Sequence, residues 1–248
     1  MNSIQIVAVI VSCCVGLLQA ASLPDFLTPC KGTDPNLNQC AETEANKVIP
    51  KLMKGYPSLN IPVLSPLKID QIKVENTGQL NIVINDAVVR GLEDAKASKF
   101  NIDLKSHNIN LRLNIPNLNI QGEYEMEGQV LVLPLNGKGA CNITAVNGDF
   151  DIAVSYTLYD KDGVQYAKIE KVDVAIDIKD AHLYFANLLN AKKQVSDDIN
   201  ALLNKEWRQV IHDLEPAIKE TVSLIVTQVG NGIIDKVPYA EIFGNELP

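Results

Sequence analysis

The chain has 248 residues, of which 46% are hydrophobic, 21% charged and 5% aromatic. That apolar fraction excludes a disordered chain, and ordinary counts of glycine (14) and proline (12) exclude collagen-like and low-complexity architectures. Thirty acidic against 22 basic residues give a net charge of −8 with no compact basic stripe, which removes nucleic acid from the partners.

From Ile4 to Leu18 the chain is apolar apart from Gln5, Ser12, Cys13, Cys14 and Gly16, and the small residues Ala20-Ala21 follow. Such a run is short for a membrane span and closes as a signal-peptidase site does, although Met1-Asn2-Ser3 carries no Lys or Arg. Residues 1–20 are therefore read as a cleaved signal peptide, and residues 21–248 as a single secreted, extracellular domain. No later segment is apolar and long enough to imply stable membrane insertion.

Cys30 and Cys40 flank a polar loop rich in Gly, Pro, Asn and Asp. An oxidising compartment closes such a loop as a disulfide, which contributes on the order of 2–3 kcal/mol and pins the N-terminus. Cys141 is left over and reads as a small buried thiol. Asn142-Ile143-Thr144 is an N-glycosylation acceptor. If it is used, Asn142 faces water while Cys141 and Ile143 face inward, because strand side chains alternate.

Apolar residues at Ala45, Val48, Ile49, Leu52 and Met53 predict a helix over residues 41–54, kinked or interrupted by Pro50 and ended by Gly55 and Pro57. Residues 68–184 then form a succession of period-two segments. Phe100, Ile102 and Leu104 slip by one residue to Ile109, Leu111, Leu113 and Ile115; Cys141, Ile143 and Ala145 slip likewise to Phe150, Ile152, Val154 and Tyr156. Each slip predicts a β-bulge. Asn136-Gly137, Asn147-Gly148, Asp160-Lys161-Asp162-Gly163 and Pro116-Asn117 carry turn signals. Long, bulged, neighbouring antiparallel strands predict a highly curved sheet, polar outside and aliphatic inside.

The last stretch predicts one very long helix over residues 192–229, roughly 57 Å in length. Its stripe runs from Val195, Ile199, Leu202 and Leu203 through Val210 and Leu214 to Val229, with Trp207 set among them. Pro216 should kink it and Gly230-Asn231-Gly232 should end it. No second long helix is present to bury that stripe, so the curved sheet must wrap it. A rod and a bent sheet with few aromatic rings mesh imperfectly, which leaves room for an elongated apolar channel. Met126, Phe150, Ile152, Tyr156, Leu203, Trp207, Val210 and Leu214 fall on the inward faces and are the candidate ligand-lining residues.

Catalytic signals are thin. His107, His182 and His212 are far apart, none lies in an HExxH spacing, and no serine sits in GxSxG. His212, with Asp213 beside it and Arg208 one turn back, reads as a solvated charged face. Glu123, Glu125 and Glu127 share one strand face as repelling carboxylates and read as the wet side. Asp160 to Gly163 reads as a hairpin rather than a calcium loop. No catalytic residue, metal or cofactor is expected.

Several motifs then occur together: Cys30 with Cys40, Pro57-Ser58-Leu59-Asn60-Ile61-Pro62, Pro66-Leu67-Lys68-Ile69, Leu203-Asn204-Lys205-Glu206-Trp207, Leu214-Glu215-Pro216 and Pro238-Tyr239-Ala240-Glu241-Ile242-Phe243. In that order, over the whole mature chain, they resemble the insect takeout and juvenile hormone-binding protein family. Only Cys141 remains for a second disulfide, so the likeness is to the takeout branch. Ser65 replaces the family's usual Asp, and Ala186-Asn187 its Gly-Asn pair. The resemblance implies an α+β fold of the tubular lipid-binding (TULIP-like) kind, a long C-terminal helix wrapped by a curved antiparallel sheet. It implies a carrier of a small apolar ligand, a terpenoid or fatty molecule, in haemolymph or another secretion. The alternative from a different class is a secreted signalling protein with a packed core that acts through a cell-surface receptor.

Overall fold

A computed structural model describes residues 23–74, 80–130 and 133–248; the expected signal peptide lies outside them. Three strands dominate: β4 (Asn108–Val130), β5 (Leu133–Lys161) and β6 (Val164–Phe185). β5 has 29 residues, roughly 95 Å of extended chain. The helix it faces, α3 (Trp207–Ile234), has 28 residues and measures roughly 42 Å. A strand twice as long as its helix stays in contact only by coiling across it. β1 (Leu67–Val74) and β2 (Leu80–Arg90) widen the sheet in the order β1-β2-β4-β5-β6, while β3 (Lys96–Asp103) pairs with the other half of the same β4 edge. Every pairing is antiparallel. The α+β architecture expected from the sequence is the one adopted.

Of the turn signals, Asp160–Gly163 makes a hairpin, with Asp162 (φ 54°) and Gly163 (φ 80°) both left-handed as a two-residue connection requires. Asn136-Gly137 and Asn147-Gly148 instead lie within β5, and Pro116-Asn117 within β4. Ladder pairs such as Met126 with Gly137 and Asn117 with Val146 carry the strands through these positions, and only Asn147 departs from extended backbone. The slip between Leu104 and Ile109 is not a bulge but a chain reversal between β3 and β4. There the Asp103 carboxylate accepts the Lys105 and Ser106 N–H groups at 2.9 and 3.2 Å. The later slip is a bend inside β5 at Asn147, whose φ is 49°.

The predicted single C-terminal rod is two helices, α2 (Lys193–Lys205) and α3. They break at Glu206 (φ −103°, ψ 26°), not at Pro216, which lies within α3 on its exposed side. Gly230-Asn231-Gly232 does not end α3. A Cβ at Gly232 would lie 2.4 Å from the Leu59 carbonyl oxygen, so these glycines let the helix touch its neighbours. Asn231 between them accepts the Ile169 N–H at 2.9 Å.

Val195, expected to face inward, is 44% exposed, while Ser196 and Asn200 are buried. α2 is turned by about one residue, ~100°, because it seals the edge of β6. Asn200 accepts the Phe185 N–H at 2.9 Å and donates to the Phe185 carbonyl at 2.8 Å. One turn later, Asn204 does the same for Leu183 at 2.8 and 2.7 Å. The N-terminal helix α1 (Leu37–Leu52) treats β3 alike: Asn46 takes both groups of Ala97, Glu42 accepts from Lys99 and Asn38 from Ile102. Helix side chains at four-residue spacing thus replace a missing strand at two sheet edges. Pro50 lies in the last turn of α1, and Cys30 is disulfide-bonded to Cys40 of the same helix.

Candidate functional site: an apolar cavity between helix and sheet

β4 and β5 change parity together, and the cavity depends on it. On β4 the inward residues are Leu113 and Ile115 before Pro116 but Leu118 and Ile120 after it; on β5 they are Ile143 before Asn147 but Phe150 and Ile152 after it. Without the bend, one half of each strand would turn its polar residues inward. The β4 edge beside Pro116 is left open between the Lys96–Asn114 and Arg90–Asn119 pairs, and a 3-10 turn, Leu92–Asp94, covers it. Gly91 leads into this turn at φ 97°, where a Cβ would lie 1.8 Å from the Asn117 carbonyl oxygen. That close approach points Leu92 into the interior.

Between this concave surface and α3 lies a cavity of about 210 Å³. β1 supplies Leu67, Ile69 and Ile72 to its wall, β2 Ile84 and Val89, and α3 a face from Ile211 to Val226. That face spans roughly 22 Å of helix. Apart from Phe150 and Thr221 the wall is aliphatic, and the Thr221 hydroxyl is spent within α3, donating to the Ala217 carbonyl at 2.9 Å. The side chains of the wall therefore present no free hydrogen-bonding group.

Of the eight candidate lining residues, Phe150, Ile152 and Leu214 are in the cavity wall. Met126, Leu203, Trp207 and Val210 are packed together with Leu214 in a buried cluster at the α2 end of the interior. Tyr156 sits at the opposite end with Tyr239 of the short helix α4 (Tyr239–Ile242), their hydroxyls 2.8 Å apart. Burial raises the Tyr156 hydroxyl pKa far above its ordinary value, as does the bond to Tyr239. The sequence reading passed over Leu92, Ile69 and Ile72 because they lie in a turn and on a short edge strand. It passed over Ala217 and Thr221 because small residues do not stand out on an apolar stripe.

The remaining candidates lie outside the cavity. Asn142 is exposed on the outer face of β5, where its Oδ1 accepts from Asn119 at 2.6 Å; Cys141 beside it is buried. Glu123, Glu125 and Glu127 are exposed while Tyr124 and Met126 between them are buried. His182 and His212 are surface residues near Asp180 (3.7 Å) and Glu215 (3.5 Å). The His107 ring packs beside Tyr156, with centroids 5.2 Å apart. Among the described residues no cluster of His, Cys, Asp and Glu could hold a metal ion, and no helix is long and apolar enough to cross a membrane.

Known proteins share this fold. The crystal structure of Epiphyas postvittana Takeout 1 superposes with a TM-score of 0.78 at 26% identity, covering 86% of this chain and 97% of that one. The circadian clock-controlled protein daywake of Drosophila melanogaster is 26% identical over 90% of this chain and 89% of its own length. Daywake of Drosophila yakuba is 24% identical over 89% of each. The sequence profile of the haemolymph juvenile hormone binding proteins matches residues 6–244. With that match over nearly its whole length, and with the takeout fold beneath it, the chain belongs to the haemolymph juvenile hormone binding protein (JHBP) family.

Proposed function

We propose that the protein is a secreted, non-enzymatic carrier that buries a small hydrophobic molecule, of the terpenoid or fatty class, between α3 and the curved sheet. The carrying observation is the cavity itself. A void of about 210 Å³ left empty costs on the order of 5 kcal/mol, which is comparable to the whole stability of a domain. An apolar cavity of about 150 Å³ remains dry and admits benzene, so this one accommodates a larger hydrocarbon group. A ligand that buries on the order of 300–400 Å² gains roughly 8–10 kcal/mol before association costs. Those costs leave affinities between about 1 μM and tens of nanomolar.

The proposal includes export through the leader expected at residues 1–20, and the Cys30–Cys40 disulfide is consistent with an oxidising destination. Glycosylation at the outward-facing Asn142 is part of the proposal, tested by the mass lost on treatment with an N-glycosidase. The function is tested by native mass spectrometry and organic extraction of the purified protein. A co-purifying apolar molecule, or saturable uptake of N-phenyl-1-naphthylamine, is expected. Absence of both overturns the carrier and leaves an interaction protein acting through its surface.

A further inference from the structure

The interior continues past the end of the cavity. Leu214, Ala217 and Ile84 belong both to the cavity wall and to the packed cluster that contains Met126, Trp207 and Val210. On α3, Trp207 and Val210 precede Ile211, the first wall residue of that helix, so the cluster stands across the α2 end of the void. Its parts come from separate elements that meet at a helix break. Leu203 ends the packed face of α2, Glu206 interrupts the helix, and Trp207 opens α3 with the Arg208 guanidinium 4.5 Å from its ring centroid. The indole is the chain's only tryptophan.

A wall without free polar side-chain groups discriminates among ligands by shape and length alone. Each methylene that finds room strengthens binding about fourfold; one that meets a packed side chain forces strain instead. We infer that Trp207, backed by Met126 and Val210, is the stop that sets the longest hydrocarbon the cavity accepts. This inference rests on the carrier reading. It assigns specificity to a residue that lies outside the cavity proper, at its closed end.

The test is displacement of N-phenyl-1-naphthylamine by saturated primary alcohols of increasing chain length. The wild-type chain should gain affinity per methylene up to a cut-off and lose it beyond. In Trp207→Ala the cut-off should move up by about four methylenes, the length of one helical turn. Trp207→Leu, which keeps more apolar bulk and disturbs folding less, should move it by about half as much. Tyr156→Phe, at the far end, should leave it in place. Circular dichroism and thermal melting identify which variants fold. An unchanged cut-off in a folded Trp207 variant, or the same shift in Tyr156→Phe, overturns the stop while leaving the carrier intact. A wild-type chain that takes up no probe removes the carrier reading and this inference with it.

Discussion

The helices meet the sheet in two different ways. At the edges, α1 and α2 reach β3 and β6 with amide side chains that take both hydrogen-bonding groups of single strand residues, as Asn46 does for Ala97 and Asn200 for Phe185. Across the concave face, α3 presents aliphatic residues and Thr221, whose hydroxyl is bonded within the helix, and the two surfaces leave about 210 Å³ between them. Hydrogen bonds are short and directional and demand close fit, whereas aliphatic contact tolerates a gap. The edges hold the tube closed, so the middle can remain loosely filled.

Breaking the edge should have the largest effect. Asn200→Leu leaves the buried N–H and C=O of Phe185 without partners and should cost about 2–5 kcal/mol, read as a lower urea midpoint. The matching change at the other edge, Asn46→Ala, should cost less, about 1–2 kcal/mol, because its bonds are only part-buried and water can replace them. Equal losses at both edges would show that burial does not govern the difference. Filling the middle should act the opposite way. Ala217→Leu should change stability by less than about 1 kcal/mol while abolishing probe uptake. A large destabilisation there would mean that the wall is already meshed.

The smallest effect is an alkaline pH dependence whose earliest part comes from the packed end. Burial pushes the Cys141 thiol from 9.0 up to about 11 and the Tyr124 hydroxyl from 10.0 up to about 12. Both groups are easier to deprotonate in the unfolded chain, so their contribution is complete below pH 9 and is lost as pH rises through 11 and 12. Urea unfolding at pH 8 and pH 10.5 should show the decline, and Cys141→Ala should remove its earlier part. At pH 8, Cys141 should resist thiol reagents in the folded protein.

Much of this was legible in residue order. Alternation showed the long strands, the outward glutamates and the inward Tyr124 and Met126; Asp162-Gly163 showed the β5–β6 hairpin; Cys30 and Cys40 showed their own pairing. What misled were residues whose local preference was outvoted. Asn136-Gly137 are turn formers held in the ladder by β4, Asn147-Gly148 only bend β5 without reversing it, and Gly230 and Gly232 serve close packing rather than helix termination. Asn38, Asn46, Asn200 and Asn204 left a signal that could have been used. Poor helix formers repeated one or two turns apart on one helix face call for a tertiary partner.

The sequence by itself determined the family, the wrapped-helix architecture and the apolar character of the interior, because periodicity, composition and motif order are properties of the chain alone. Where the void lies was decided only in three dimensions. It depends on the shared bend of β4 and β5, the inward turn of Leu92, and the helix break at Glu206 around which the packed end is built. A void is a mismatch between two surfaces, and neither surface encodes it separately.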